Sequence, residues 1–344
     1  ELPDDLIARH PAEPRGASRL LLHLPGAPSS EQFARDVEAL ARLAAGGASS
    51  SLLSSGGKVH DLQFSALPSA LPPYAHLVFN QSRVFAARVF ASMPYVSPRP
   101  VEVLFLSPIS HPDPAGALSS PAQGQLWRGM VRAPRELCLG TTLTVISPKG
   151  SCLADTGLKL QVEREISPWI EQGEPDGMEA ALKLSVLPTS TVSLLSLLTS
   201  LGETPLPPYL HRAALPEDEE SYQTVYADSE DAGSVAAPTA GLHFTNGLLD
   251  ELDSAGVRRS SLTLHVGAGT FKPITASTLS AHEMHAEPFS VTSDALASLS
   301  RSAAEGRPLV PVGTTSARVM ESLYWMAVRM AYREEWMEAR DEPS

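Results

Sequence analysis

Cysteine is nearly absent from this chain of 344 residues: Cys138 and Cys152 are the only two. Two cysteines without CxxC spacing make neither a zinc site nor a disulfide framework, so a reducing compartment is the default. Long apolar runs are missing as well. The stretch 192–201 carries serines and falls short of the ~20 residues that span a bilayer, which excludes a membrane helix there. Cations are in deficit, with 26 Lys and Arg against 39 Asp and Glu and a net charge of −13. That balance argues against a surface that grips nucleic acid everywhere. The beginning at Glu1 gives no reading of a targeting peptide, so the cytoplasm is the default and an organelle stays open.

An apolar fraction of 43% and a charged fraction of 19% suit a globular protein with room for two domains. Residues 44–57 (AAGGASSSLLSSGG) and the proline-stiffened LPSALPPY (67–74) mark a flexible insert over about 43–75. A second pliable insert is expected at 107–125. Around the second insert run short alternating segments: VEVLFL (101–106), LWRGMVR (126–132), TTLTVI (141–146), LKLQVE (158–163) and LKLSV (182–186). Period-two alternation at this spacing predicts a small antiparallel β-barrel over 91–188. Within 81–150 the cations Arg83, Arg88, Arg99, Arg128, Arg132, Arg135 and Lys149 face only Glu102, Asp113 and Glu136, a local surplus of four positive charges. A basic face on the barrel and a few solvated arginines both fit that surplus.

Beyond residue 190 the pattern changes to alternating helices and strands. Val192, Leu195, Leu198 and Leu201 form a helical stripe closed by Gly202. Strands are expected at 234–237, 262–266 and 309–312, with helices at 245–255, at 293–305 and after Gly313. The last helix would carry Val319, Leu323, Met326 and Met330 on its apolar face. The fold class is therefore α/β: a mostly parallel sheet domain made of 1–90 and 189–344, with the small antiparallel β-barrel inserted between its parts.

The strand-end loops 235–244, 264–271 and 312–318 hold the chemistry-bearing residues, and open α/β sheets bind ligands where such loops converge. In the last loop a strand, Gly313, Thr314, Thr315 and a helix start can hold an anion, and Arg318 adds a cation. A Thr cap with an Arg–carboxylate pair is the structural alternative. Gly267-Ala-Gly269 lacks the third glycine of a dinucleotide fingerprint, since Lys272 stands there, so a nicotinamide oxidoreductase is disfavoured. His282-Glu-Met-His285 is one residue too short for the helical zinc pair, so no metal is expected.

The ordered blocks ELPDDLIARHPAEPRGASRLL at the start, LVFNQSRVFAARVF (77–90), PLPPYLHR (205–212), SYQTVYA (221–227), SVAAPTAGLHFT (234–245), LTLHVGAGTFKPI (262–274), HEMHAEPF (282–289) and VPVGTTSARVMES (310–322) carry a resemblance. Together they resemble the S-adenosylmethionine:tRNA ribosyltransferase-isomerase family of queuosine biosynthesis. The resemblance implies an α/β domain with an inserted antiparallel barrel. It implies a transferase and isomerase that moves the ribosyl group of S-adenosylmethionine onto 7-aminomethyl-7-deazaguanine at the wobble position of tRNA. The products would be epoxyqueuosine-tRNA, adenine and methionine. No cofactor is implied, because S-adenosylmethionine is a co-substrate. The partners are tRNA and S-adenosylmethionine, no membrane is involved, and a monomer is expected.

That chemistry needs a base for a hydrogen acidified by the sulfonium and an acid for the departing adenine. His243, His265 and His285 are the acid/base candidates in the matching blocks, and Glu287 would orient His285 or act as base. Thr314, Thr315 and Arg318 would hold a carboxylate or phosphate, and Tyr209 and Phe244 would stack on a base. Arg83, Thr239, Gly241, Gly267, Gly269 and Thr270 complete the expected substrate-binding set. Several features depart from the family pattern. Gln81-Ser82 stands where an acidic-Thr pair is usual, and ASMPYVSPRP replaces a glycine-rich basic loop. Family members continue beyond the last helix, so the chain reads as C-terminally truncated and carrying inserts. The alternative to an active enzyme is a non-catalytic relative that binds S-adenosylmethionine or RNA weakly.

Overall fold

The computed structural model describes residues 3–24, 51–52, 58–72, 74–93, 97–132, 138–146, 157–171, 174–186, 191–271, 278 and 285–332. In chain order the strands begin with β1 (Arg19–Leu24), β2 (Ser51–Leu52), β3 (Lys58–Gln63), β4 (His76–Asn80) and β5 (Arg83–Val84). Next come β6 (Arg88–Met93), β7 (Ser97–Pro108), β8 (Leu126–Arg132), β9 (Thr142–Ile146), β10 (Lys159–Glu171) and β11 (Glu174–Ser185). The last are β12 (Ala232–Ser234), β13 (Arg258–Leu264), β14 (Phe289–Ser290) and β15 (Leu309–Pro311). The helices are α1 (Leu67–Ala70), α2 (Pro114–Ser119), α3 (Leu194–Leu201), α4 (Asp218–Ser221), α5 (Asn246–Ser254), α6 (Ser293–Ala304) and α7 (Gly313–Ala331). Two compact units divide the chain: Glu1–Arg9, Gln81–Pro238 and Thr263–Ser290 form the first, and His10–Asn80, Thr239–Leu262 and Val291–Ser344 the second.

The first unit holds a closed barrel in the order β10-β11-β8-β7-β6-β9, whose strands lie between Arg88 and Ser185. Alternation builds it. Val89, Ala91 and Met93 of β6 and Leu143 and Val145 of β9 are buried, while their neighbours stay at least partly exposed. Phe105 and Trp127 meet edge-on at 5.7 Å in the core, and burying the Phe105 side chain alone contributes about 1.5–3 kcal/mol. The stretches 81–90, 191–238 and 263–290, expected in the α/β domain, belong to this unit. Outside the barrel, β5 pairs parallel with β12, and Thr263 and Leu264 pair antiparallel with β14.

Two elements of this unit differ from the sequence expectation. In α3 the buried pair is Leu194 and Leu198, while Val192 is exposed. The Ser193 side chain accepts from the Ser196 N–H and starts the helix after Val192, which places the buried leucines one turn apart. The segment 107–125 is packed rather than pliable. Asp113 caps α2 by accepting from Ala115 N–H and Gly116 N–H, and Pro114, Ala117, Leu118 and Ala122 are buried behind it.

In the second unit β4 is buried at every position, as a strand covered on both faces should be. Residues 258–262 of β13 and β15 pair with it in parallel, one on each side. Thr245 and Thr292 cap α5 and α6 through their hydroxyls. The strands β1, β3 and β2 form a separate antiparallel sheet. Of the expected flexible insert, 43–50, 53–57 and 73 lie outside the described residues; the remainder includes β3, α1 and the buried Phe64. On α7 only Val319 of the expected stripe is buried, and Met326 and Met330 are exposed. The 19-residue helix is ~28 Å long, whereas the three residues of β15 span ~10 Å, so α7 outruns its strand. Among the described residues no helix is long and apolar enough to cross a membrane.

Candidate functional site

In the first unit, β13 delivers His265 to a buried hydroxyl cluster. The Ser82 hydroxyl lies 3.3 Å from His265 Nδ1 and is hydrogen-bonded to the Ser234 hydroxyl, which also accepts from the Val266 N–H at 2.9 Å. On the other side of the ring, Nε2 stands 3.9 Å from Asp113 Oδ1. Burial pushes the His265 pKa down, and Asp113 and Asp231 pull it back up. Gly233 permits this packing: a Cβ there would sit 2.5 Å from His265 Nδ1 and 2.9 Å from Pro114 Cβ. Asp231, just before β12, accepts from Gln81 Nε2 at 2.6 Å and from the Thr263 hydroxyl at 2.9 Å. Sequence reasoning left Ser234, Asp113 and Asp231 out of the site. It noted Ser82 only as a departure from the family pattern.

A second cluster follows on the same loop. Glu287 Oε1 accepts the Gly267 N–H at 2.8 Å and lies 3.4 Å from His285 Nε2. The His285 ring lies against Gly269, where a Cβ would come within 2.7 Å of its Cγ. Glu287, with its side chain only 5% exposed, is thus held by the loop backbone and stands close enough to His285 for its charge to act there. His282 lies outside the described residues. Thr270 and Arg83 are exposed, and Tyr209 is 54% exposed on the 3-10 turn Pro208–Leu210.

The second unit carries the rest of the expected set. The Ser18 hydroxyl donates to the Arg15 carbonyl, so it accepts from His243 Nδ1 and leaves Nε2 as the basic nitrogen of the neutral ring. Burial keeps the His243 pKa below its ordinary value. Phe244 does not face a ligand. It is buried, with its ring edge-on to Phe64 at 5.0 Å and Phe79 at 5.2 Å, because the turn Thr239–Gly241 aims it into the core. The start of α7 meets that turn, with a Cβ on Gly313 falling 3.1 Å from Ala240 Cβ. Thr239 and Gly241 flank Ala240 in that turn, and Thr314 and Thr315 follow Gly313 in α7. No side chain caps α7, and the hydroxyls of Thr315 and Ser316 are buried without a hydrogen-bond partner among the described residues. Uncapped N–H groups and spare hydroxyls at a helix start suit an anion.

The barrel arginines are less available than their local count implied. Arg128 is ion-paired with the buried Glu179 of β11, and Arg88 and Arg132 converge on Glu102 at 3.2 and 3.6 Å. Among the described residues no group of three or more His, Cys, Asp or Glu side chains could hold a metal ion.

The family described as queuosine biosynthesis protein matches residues 1–339. The S-adenosylmethionine:tRNA ribosyltransferase-isomerase of Anaeromyxobacter sp. (strain Fw109-5) is 35% identical over 324 residues, covering 94% of this chain and 75% of that protein. The protein of the same name from Treponema denticola is 32% identical with the same coverage. Among solved structures, the S-adenosylmethionine tRNA ribosyltransferase of Thermotoga maritima is 21% identical, with a TM-score of 0.33 over 94% of this chain and 71% of that one. The chain belongs to the queuosine biosynthesis protein family.

Proposed function

We propose that the protein transfers and isomerises the ribosyl group of S-adenosylmethionine onto 7-aminomethyl-7-deazaguanine at the tRNA wobble position. Epoxyqueuosine-tRNA, adenine and methionine are the products. The observation that carries this reading is family membership over nearly the whole chain, with relatives named for that transferase-isomerase activity. The sulfonium of S-adenosylmethionine activates the sugar by itself, so the co-substrate suffices without a resident cofactor. A monomer acting in the cytoplasm completes the reading.

In the first unit His265 and the His285–Glu287 pair are proton-transfer groups, since Ser82 stands at one ring nitrogen of His265 and a carboxylate lies 3.4 Å from His285 Nε2. Tyr209 offers an exposed ring for base stacking. In the second unit the uncapped start of α7, with Thr314, Thr315 and Arg318, holds an anionic group of a substrate. The test combines purified protein, S-adenosylmethionine and tRNA bearing the deazaguanine. Adenine release and the mass of the modified nucleoside are measured. Adenine release with a matching nucleoside mass is expected. His265→Ala should slow turnover by about 10²–10⁴-fold. Arg318→Ala should weaken substrate binding by about ten- to a hundred-fold. No adenine release under any condition would overturn the proposal.

A further inference from the structure

The segment 107–125 brings a carboxylate to His265 that no local pattern connects with it. Asp113 Oδ2 accepts the Gly116 N–H at 2.7 Å and Oδ1 the Ala115 N–H at 3.3 Å, so the cap of α2 fixes where the carboxylate stands. Oδ1 faces His265 Nε2 at 3.9 Å, beyond hydrogen-bond length but close enough for charge to act. The opposite nitrogen faces Ser82, which is 1% exposed and backed by the fully buried Ser234. Asp113, by contrast, has a side chain 55% exposed, so Nε2 is the nitrogen on the accessible side. Among the described residues the other charged or titratable groups here are Asp231, hydrogen-bonded to Gln81 and Thr263, and His111, whose Nδ1 accepts from the Asp113 N–H at 3.1 Å.

We propose that Asp113 is a positioning residue that holds a proton on His265 Nε2 and thereby sets this histidine as the proton donor for the departing adenine. The inference rests on the reaction proposed above. An N–H dipole pointing at a carboxylate is favourable and a lone pair pointing at it is not, so Asp113 favours every state with Nε2 protonated. In the imidazolium, Nδ1–H donates to Ser82, which donates to Ser234, which also accepts from Val266 N–H. Ser82 thus offers the Nδ1–H of the imidazolium an acceptor. When the bond to adenine breaks, its electron pair stays with the base, which takes the Nε2 proton. The ring is left neutral, with Nδ1–H still on Ser82. Asp113 then favours recapture of a proton at Nε2. The hydroxyls need not move during the transfer.

The test is Asp113→Asn, which keeps an N-cap acceptor for α2 but removes the charge. Histidine-selective ¹⁵N NMR, with His265→Asn for assignment, follows the ring's titration and tautomer. Adenine release is measured across pH in parallel. The expected result is a lower His265 titration midpoint and an alkaline limb of the rate profile moved to lower pH. Activity should fall up to roughly fivefold at neutral pH, the size expected for a half-exposed charge, and recover on acidification. Asp113→Glu should restore the parent profile. An unchanged His265 midpoint overturns the proposal whatever the activity. A moved midpoint with an unmoved rate profile overturns the assigned step. Parental adenine release by His265→Asn also overturns the donor role but leaves the proposed reaction standing, whereas absence of adenine release from the parent protein refutes that reaction itself.

Discussion

Replacing Gly233 by alanine pushes one methyl group into the face of the His265 ring. The added carbon would lie 2.5 Å from Nδ1, 2.7 Å from Cε1 and 2.9 Å from Pro114 Cβ. Ordinary contact is about 3.5 Å, so the ring must retreat by about 1 Å and the start of α2 by about half that. The backbone has little freedom to yield, because Ala232 and Ser234 on either side are paired with Arg83 and Val84. Overpacking of this kind costs about 1–3 kcal/mol. At about 2–4 °C per kcal/mol for a body of this size, the melting temperature should fall by several degrees. A displacement of about 1 Å in a reacting group can cost about 10²-fold in rate, and movement of His265 also separates Nδ1 from Ser82. Circular dichroism melts and an adenine-release assay are run side by side at a temperature where both proteins are folded. A parental rate from a folded Gly233→Ala protein would show that the position of His265 does not matter to the chemistry.

Arg212→Ala should destabilise the first unit by about 3–5 kcal/mol, since it leaves the buried Asp218 carboxylate without the fork that now binds it at 2.6 and 2.7 Å. Denaturant melts with an unchanged midpoint would contradict this. Phe244→Ala should cost about 3–5 kcal/mol by opening a cavity against Phe64 and Phe79. Tyr209→Ala should leave stability unchanged and alter only substrate affinity, so the reverse pattern would reassign the two rings. Burial holds the pKa values of His76, His243 and His265 below the unfolded value, in His76 with help from the Arg258 and Arg307 charges. The unfolded chain therefore binds more protons, and stability is full above about pH 6.5 and lost as pH falls below it. Urea midpoints that stay constant from pH 7.5 to about 5 would rule out this linkage.

Features set within a few residues were legible in the sequence. Alternation over 141–146 marks β9 of the barrel wall, and the helix expected over 293–305 is α6, which Thr292 caps. Glu287 could be picked as a partner for His285 from two residues away. Local pattern could not show that Leu194 rather than Leu195 is buried with Leu198, because one capping hydroxyl sets the phase of the helix. Nor could it show that Phe244 is a core ring, since Phe64 and Phe79 reach it from distant parts of the chain. The surroundings of His265 were hidden for the same reason. Ser82 is separated from it by 183 positions, and Asp113 arrives on a segment whose prolines and small residues read as a loose insert. Periodicity and caps act over one or two turns of chain and so specify elements. Which carboxylate stands beside which imidazole depends on the packing of those elements, and only the tertiary structure decided that.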